Sequence, residues 1–229
     1  MYKRQPIYYA VQKDIDIRTG EPTLIDFDMQ RISQRINIIL NIRTEGDIKK
    51  EDLLPPIIEL SGACGHFNIS EACLDTTRLY RMVHQAQPDE FTQTGENTYR
   101  CVVHFHTLGV IPSAAKGHLN GPGILQVALQ VSANRLDASG APVLDQDGKP
   151  VKNSRYIYGA INPYDELTAA QLIEVRDSKT YLRYSKDDVN IEITSPLVIK
   201  ADQIVSDDTG MGWQPNDPTN PDDDIIIEI

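Results

Sequence analysis

Short runs in which apolar and polar residues alternate recur along most of the chain. Such runs predict half-buried β-strands, because successive side chains of a strand point to opposite faces. They lie at 7–11, 15–17, 24–27, 57–60, 99–108, 124–133 and 155–161. The segment 29–44 fits both a strand and a helical face, and we interpret it as a helix or turn that enters a strand.

One segment has helical spacing instead. Its apolar positions at i, i+3, i+4 and i+7 are Leu79, Met82, Val83 and Ala86. Ser70 precedes them as a possible amino-terminal cap, and Pro88 follows where a helix would stop. We therefore predict the main helix over 71–86, with Leu79 and Met82 buried.

A small repeat with the spacing D-x-x-G-x-P occurs at 137–142 and again at 145–150. Asp forms local side-chain turns, Gly tolerates positive φ, and Pro stops further pairing. The repeat predicts an exposed hairpin tip between two of the strands named above.

The pattern changes near residue 161. Residues 168–174 allow a short helix, and three brief β runs follow at 180–184, 189–194 and 197–205. Strands this short bury little surface alone, so we expect a preceding domain or other subunits to complete their sheets.

These patterns predict a mainly β protein of the β-rich α+β class. We expect an antiparallel β-sandwich or barrel-like core with one main helix. The predicted divisions are a β-rich core domain at 1–160, a short-strand assembly segment at 161–206, and an acidic linker with a carboxy-terminal strand arm at 207–229.

The net charge of −11 is concentrated at one end of the chain. Residues 187–229 contain one basic residue, Lys200, and 11 acidic residues. Nucleic-acid readers need a basic surface that displaces phosphate counterions, so direct DNA or RNA binding is disfavoured.

The remaining composition fits a globular protein, with 40% hydrophobic residues in a chain of 229. The longest aliphatic runs are far below the ~18 residues of a membrane span, and the start has no apolar signal region. Three cysteines, Cys64, Cys73 and Cys101, argue against a disulfide framework. We expect synthesis in a reducing cytoplasm and no membrane insertion.

The stretch DDVNIEITSPLVIKADQIVSDD resembles the strand-and-turn rhythm of central spike proteins in phage contractile-tail baseplates. In those proteins, short strands of three chains wind into an intertwined β-prism. The resemblance covers about residues 174–206. It implies a virion or tail component whose partners are copies of itself and other virion proteins. Spike tips in that family often end with His-x-His, whereas here this motif lies in mid-chain.

That motif, His104-Phe105-His106, places two imidazoles on one face of a predicted strand. With His118 as a third ligand, it suggests an alternative function as a metal-dependent β-barrel enzyme or ligand-binding protein. We favour the simpler interpretation, in which these are two ordinary strand residues on a polar face.

Two further ligand sets are weaker. Cys64, His66, Cys73 and Cys101 lack the paired C-x-x-C spacing of zinc sites. The acidic residues near the carboxy terminus could gather calcium or form a solvated linker, and these are Asp207, Asp208, Asp217, Asp222, Asp223 and Asp224. We predict no catalytic, cofactor or metal site.

The sequence therefore favours a non-enzymatic structural protein of a phage virion, tail or baseplate that works by inter-subunit β pairing and loop docking. A receptor-binding or adhesin module is a further alternative. The segment 225–229 has high β propensity and follows a proline-broken acidic spacer, so we predict that it pairs with a neighbouring chain. The expected assembly contacts are Trp213, Asp222, Asp223, Asp224, Ile225, Ile226, Ile227 and Ile229.

Overall fold

A computed structural model describes residues 7–46, 48–135, 137–183 and 188–200. Within these residues the chain is mostly β, with three sheets and one α-helix, and no sheet closes into a barrel. The predicted mainly β fold class is confirmed.

The elements follow one another in this order. The first half contains β1 (Tyr8–Tyr9), β2 (Gln30–Arg31), β3 (Gln34–Glu45), a 3-10 turn (Lys50–Asp52), β4 (Ile57–Asn68), β5 (Cys73–Gln85), β6 (Phe91–Gly95) and β7 (Thr98–Thr107). The second half contains β8 (Leu125–Asn134), β9 (Lys152–Ile161), α1 (Tyr164–Ala170), β10 (Ile173–Arg176), β11 (Lys179–Leu182) and β12 (Val189–Lys200).

Two large sheets form the body of the molecule. One has six strands in the order β10-β11-β5-β4-β8-β9, and the other has four in the order β12-β3-β7-β6. Neighbouring strands are antiparallel except β12 and β3, which run parallel. The third sheet is the short pair of β1 and β2.

The core lies between the inward faces of the two large sheets. Its residues alternate along each strand, as a half-buried strand requires. Strand β3 contributes Ile36, Ile38, Leu40 and Ile42; β7 contributes Tyr99, Cys101, Val103 and Phe105; β8 contributes Leu125, Val127, Leu129 and Val131. These side chains form one continuous cluster with residues of β4, β9 and β12.

The predicted main helix over 71–86 is wrong. These residues form most of β5, which pairs antiparallel with β4. Ser70 lies in the turn between the two strands, where the Asn68 Oδ1 accepts a hydrogen bond from the Glu71 amide at 3.2 Å. The helical spacing is a coincidence in this strand, whose Thr76, Thr77, Tyr80 and Val83 are of types that favour β structure.

The predicted burial of Leu79 and Met82, which depended on this helix, is also wrong. Leu79 is 38% exposed and Met82 is half-buried, because this part of β5 lies at the margin of the sandwich. The α-helix in the described residues is α1, which begins earlier than the predicted 168–174 and buries Leu167.

Other expectations differ at their boundaries. The ambiguous segment 29–44 contains no helix and mostly forms β3, whereas 15–17 and 24–27 lie outside any strand. Strand β12 continues through Pro196, with a register shift between Ile193 and Leu197. Proline is tolerated there because β12 is an edge strand and its pairing is irregular at that point.

Strands of the predicted 161–206 segment join the sheets of their own chain. Strand β12 pairs with β3, and β11 meets β5 at Thr180 and Leu74. The sheets are thus completed by preceding residues, which is one of the two expectations for these strands. The division into three units stays a prediction, and 207–229 lies outside the described residues.

The strand assignment of β5 predicts unequal costs for two leucine substitutions. Leu129→Ala, at a fully buried position of β8, should lower the free energy of unfolding by about 2–5 kcal/mol. Leu79→Ala, at the exposed margin, should cost less than about 1 kcal/mol, since little packed volume is lost. Urea unfolding of both variants measures the difference. If both substitutions lowered the free energy of unfolding equally, Leu79 would be a buried residue and the strand assignment would be contradicted.

Candidate interaction surface

The chain before β3 forms an arm that is tied down at its base. Strands β1 and β2 close it, and the Ile32 amide donates to the Ile7 carbonyl at 2.8 Å. The Ile7 amide donates to Ser33 Oγ at 2.8 Å, and the Tyr9 hydroxyl donates to Gln30 Oε1 at 3.2 Å. Residues 10–29 leave this base and return to it, and we call them the amino-terminal arm.

The base of the arm lies at the tip of the β4–β5 hairpin. The Tyr9 ring meets the Phe67 ring edge-on, with ring centroids 4.8 Å apart. Phe67 stands near the end of β4, one turn before β5 begins. The arm therefore leaves the body of the molecule beside the start of β5.

Large apolar side chains of the arm and its base face solvent. Among the described residues, 17 large hydrophobic side chains are exposed, and nine of them lie between positions 7 and 29. These nine are Ile7, Tyr8, Val11, Ile15, Ile17, Leu24, Ile25, Phe27 and Met29. Contiguous apolar exposure of this kind marks interaction surfaces, whereas scattered single residues do not.

A second feature is the open edge of β5. On one side, β5 pairs with β4 between Cys73 and Gln85. On its other side, β5 pairs with β11 only at Leu74. Within the described residues, 76–85 thus has no strand on its second side, and we call this segment the β5 edge. Open edges present unpaired backbone groups that invite another strand.

The β5 edge is basic and partly apolar. It carries Arg78 and Arg81 and no acidic residue, and it exposes Leu79, Tyr80 and Val83. Arg81 Nη1 lies 3.2 Å from Glu59 Oε1 on the neighbouring strand. Our sequence interpretation missed this edge because it took the segment for a helix.

The tip between β8 and β9 has the predicted turn chemistry. Asp137 Oδ1 accepts hydrogen bonds from the amides of Ser139 and Ala141 at 2.8 and 3.0 Å. Asp145 Oδ1 does the same for the amides of Asp147 and Lys149 at 2.9 and 2.8 Å. Each copy of the repeat is therefore a self-contained turn, and the predicted exposed tip is confirmed.

Replacing 137–150 by a two-residue Asn-Gly turn should leave the melting temperature nearly unchanged. Most side chains of the tip are exposed, and its hydrogen bonds are largely internal, so little core packing depends on it. Thermal unfolding followed by circular dichroism measures this. Loss of the cooperative transition would place the tip in the folding core.

The histidines of the alternative metal hypothesis are not gathered into a site. His104 and His106 do share the outer face of β7, but His118 lies exposed in the loop before β8. His104 Nδ1 instead contacts Asn37 Oδ1 at 2.7 Å, and Asn37 Nδ2 donates to Asn190 Oδ1 at 2.7 Å. In the described part of the chain, no group of three or more His, Cys, Asp or Glu side chains could hold a metal ion.

His104 belongs to this hydrogen-bonded row across β7, β3 and β12, and its protonation makes the stability of the fold depend on pH. Burial lowers the pKa of His104, and the nearby Arg35 lowers it further. The unfolded chain therefore binds the proton more readily than the folded chain. Stability is highest above the ordinary histidine pKa of about 6.5 and falls as the pH drops through it.

The variant His104→Gln tests this linkage, because glutamine retains a donor group but does not titrate. The free energy of unfolding of the parent should fall more between about pH 7.5 and about pH 5 than that of the variant. Urea unfolding at the two pH values measures both losses. Equal losses would show that His104 does not contribute.

The cysteines have the environment of core residues. Cys64, Cys73 and Cys101 are free and buried. Burial raises the pKa of Cys64 to about 11 and that of Cys101 to about 12. Thiols with such values stay protonated near neutral pH and are poor nucleophiles. His66 is directed to the Tyr80 hydroxyl at 3.4 Å and is exposed.

A surface depression of about 420 Å³ lies between the loop before β8, α1 and β12. Lys116 Nζ and Asp165 Oδ2 meet at 2.5 Å on its rim, and both side chains are exposed.

The predicted assembly contacts near the carboxy terminus lie outside the described residues. This applies to Trp213, to Asp222–224 and to Ile225, Ile226, Ile227 and Ile229, and also to the acidic calcium candidates. No helix of the described segments has the length and apolar character needed to cross a membrane.

Comparison with known proteins gives little further guidance. No protein-family model and no curated protein matches the sequence. A crystal structure described as "a putative adhesin from Bacteroides ovatus" aligns with a TM-score of 0.37 and 9% identity, over 81% of this chain and 53% of that chain. The chain thus spans about half the length of that neighbour. So weak a likeness supports neither a shared fold nor a shared function, and no resemblance to baseplate spikes is found.

Proposed function

We propose that this protein is a non-enzymatic structural subunit that assembles with copies of itself, as in a phage virion, tail or baseplate. The observation that carries the proposal is the exposed apolar surface of the amino-terminal arm and its base. A side chain such as Leu24, 87% exposed, gains about 1.5–3 kcal/mol when fully buried, and nine such residues together favour association.

Open strand edges support the same proposal. Among the described strands, β9 and β12 lie at the ends of their sheets, and the β5 edge has no strand on its second side. Strand addition between chains uses such edges and needs no catalytic residue. The segment 225–229 is proposed as a second pairing segment, because its isoleucines favour a strand and are too few to form a sheet alone.

The other two functions suggested by the sequence have less support. His104 and His106 share a face of β7 whereas His118 lies in a loop, so this arrangement gives the metal-dependent alternative little support. The receptor-binding alternative stays a prediction, since exposed apolar residues serve a receptor contact as well as a subunit contact. Location in a virion likewise stays a prediction.

Light scattering over a range of protein concentrations tests self-assembly. We expect a mass above the 25.7 kDa of one chain that increases with concentration. Replacing 225–229 by five glycine and serine residues should weaken the assembly while the monomer stays folded by circular dichroism, because the pairing segment is lost and the body is intact. A monomer at every concentration, up to the millimolar range, would contradict the proposed function.

A further inference from the structure

We infer that residues 24–30 of one copy, which are the end of the arm together with Gln30 of β2, add as a β-strand to the β5 edge, residues 76–85, of a second copy. In a two-fold dimer each copy gives its arm and receives the arm of its partner. The inference rests on the proposed self-assembly and specifies which surfaces meet.

The arm segment has the sequence of a strand without a strand partner. Ile25, Phe27 and Met29 alternate with Asp26 and Asp28, as on a strand with one buried and one solvated face. In the described structure these residues lie outside any strand, and all three apolar side chains are exposed. Pairing with another chain would satisfy their backbone and bury the apolar face at once.

The receiving edge has the right length and surface. Ten residues of β5 span about 33 Å, and the seven residues 24–30 need about 23 Å. Leu79 and Val83 share one face of β5 and are exposed. They offer apolar contacts to the alternating residues of an added strand, as cross-strand neighbours do.

The charges of the two segments are complementary. Residues 24–30 contain Asp26 and Asp28 and no basic residue, whereas the β5 edge contains Arg78. The other arginine of this edge, Arg81, already pairs with Glu59. Opposite charges on paired strands are stabilising, and like charges directly opposite are not. Each chain carries both the acidic arm segment and the basic β5 edge. Two copies related by a two-fold axis therefore form the same arm-to-edge contact twice.

The position of the arm permits this exchange. Its base touches Phe67, beside the start of β5, and Lys13 lies within electrostatic range of Glu71 in the β4–β5 turn. The 14 residues from 10 to 23 can extend to about 46 Å. An arm that starts beside its own β5 therefore reaches the β5 of a molecule placed across a two-fold axis.

Charge reversal on each segment tests the inference. One variant carries Asp26→Lys and Asp28→Lys in the arm, and the other carries Thr76→Glu and Arg78→Glu on the edge. Matched controls carry Asp14→Lys with Asp16→Lys in the arm outside the proposed strand, and Arg135→Glu with Gln146→Glu near the tip. All variants are made in the full chain, checked for folding by circular dichroism, and compared at low ionic strength by sedimentation equilibrium.

Each test variant should self-associate at least about tenfold more weakly than the parent, because like charges then face each other twice in the dimer. An equimolar mixture of the two should regain the parent affinity, since the basic arm of one then meets the acidic edge of the other, and conversely. The controls should match the parent.

The inference is overturned if the mixture associates no more tightly than either variant alone, or if the test variants dimerise like the parent. In the latter case self-assembly stands and only the location of the contact is wrong. A parent chain that stays monomeric at every concentration overturns both the inference and the proposed function.

Discussion

The burial of one face of β3 between neighbours on both sides is the constraint on which the fold depends. Ile36, Ile38 and Ile42 are at most 1% exposed, and each contributes about 1.5–3 kcal/mol of apolar burial. Strand β7 covers one edge of β3 by ordinary antiparallel pairing, and β12 returns from far along the chain to cover the other edge in parallel. Without β12, strand β3 with its buried isoleucines would be an open edge.

Because β3 is covered on both edges, the core offers no association surface there. The proposed association surfaces, the arm and the β5 edge, lie at the margin of the sandwich. Within the described part of the chain, the β5 edge is paired on one side only, and the arm beside it exposes a strand-like sequence that lies outside any strand. These features destabilise an isolated monomer little, because the core cluster does not include the arm. They offer a partner unpaired backbone, apolar side chains and opposite charges at adjacent places, which is why we connect the fold to assembly.

The strands of the core could be predicted from the sequence because both faces of each strand have a defined environment. The runs that became β7 and β8 alternate for most of their length, and the Asp-x-x-Gly turns between β8 and β9 follow from local chemistry alone. The β5 edge could not be predicted in this way. One edge of this strand lies at the margin of the sandwich, where burial does not impose an alternating pattern. Leu79, Met82 and Val83 could therefore have the spacing of a helix by chance. The arm was predicted as short strands, but whether these runs find a strand partner depends on the tertiary structure, and among the described residues they lie outside any strand.

Hydrogen exchange of backbone amides tests the central claim most directly, because strand addition must protect both strands that form it. The exchange of the parent chain is compared at concentrations below and above its association range. The account predicts that amides in 24–30 and in 76–85 slow together in the assembled protein, while those of the 137–150 tip remain fast. Equally fast exchange of 24–30 in the dilute and assembled protein would contradict it.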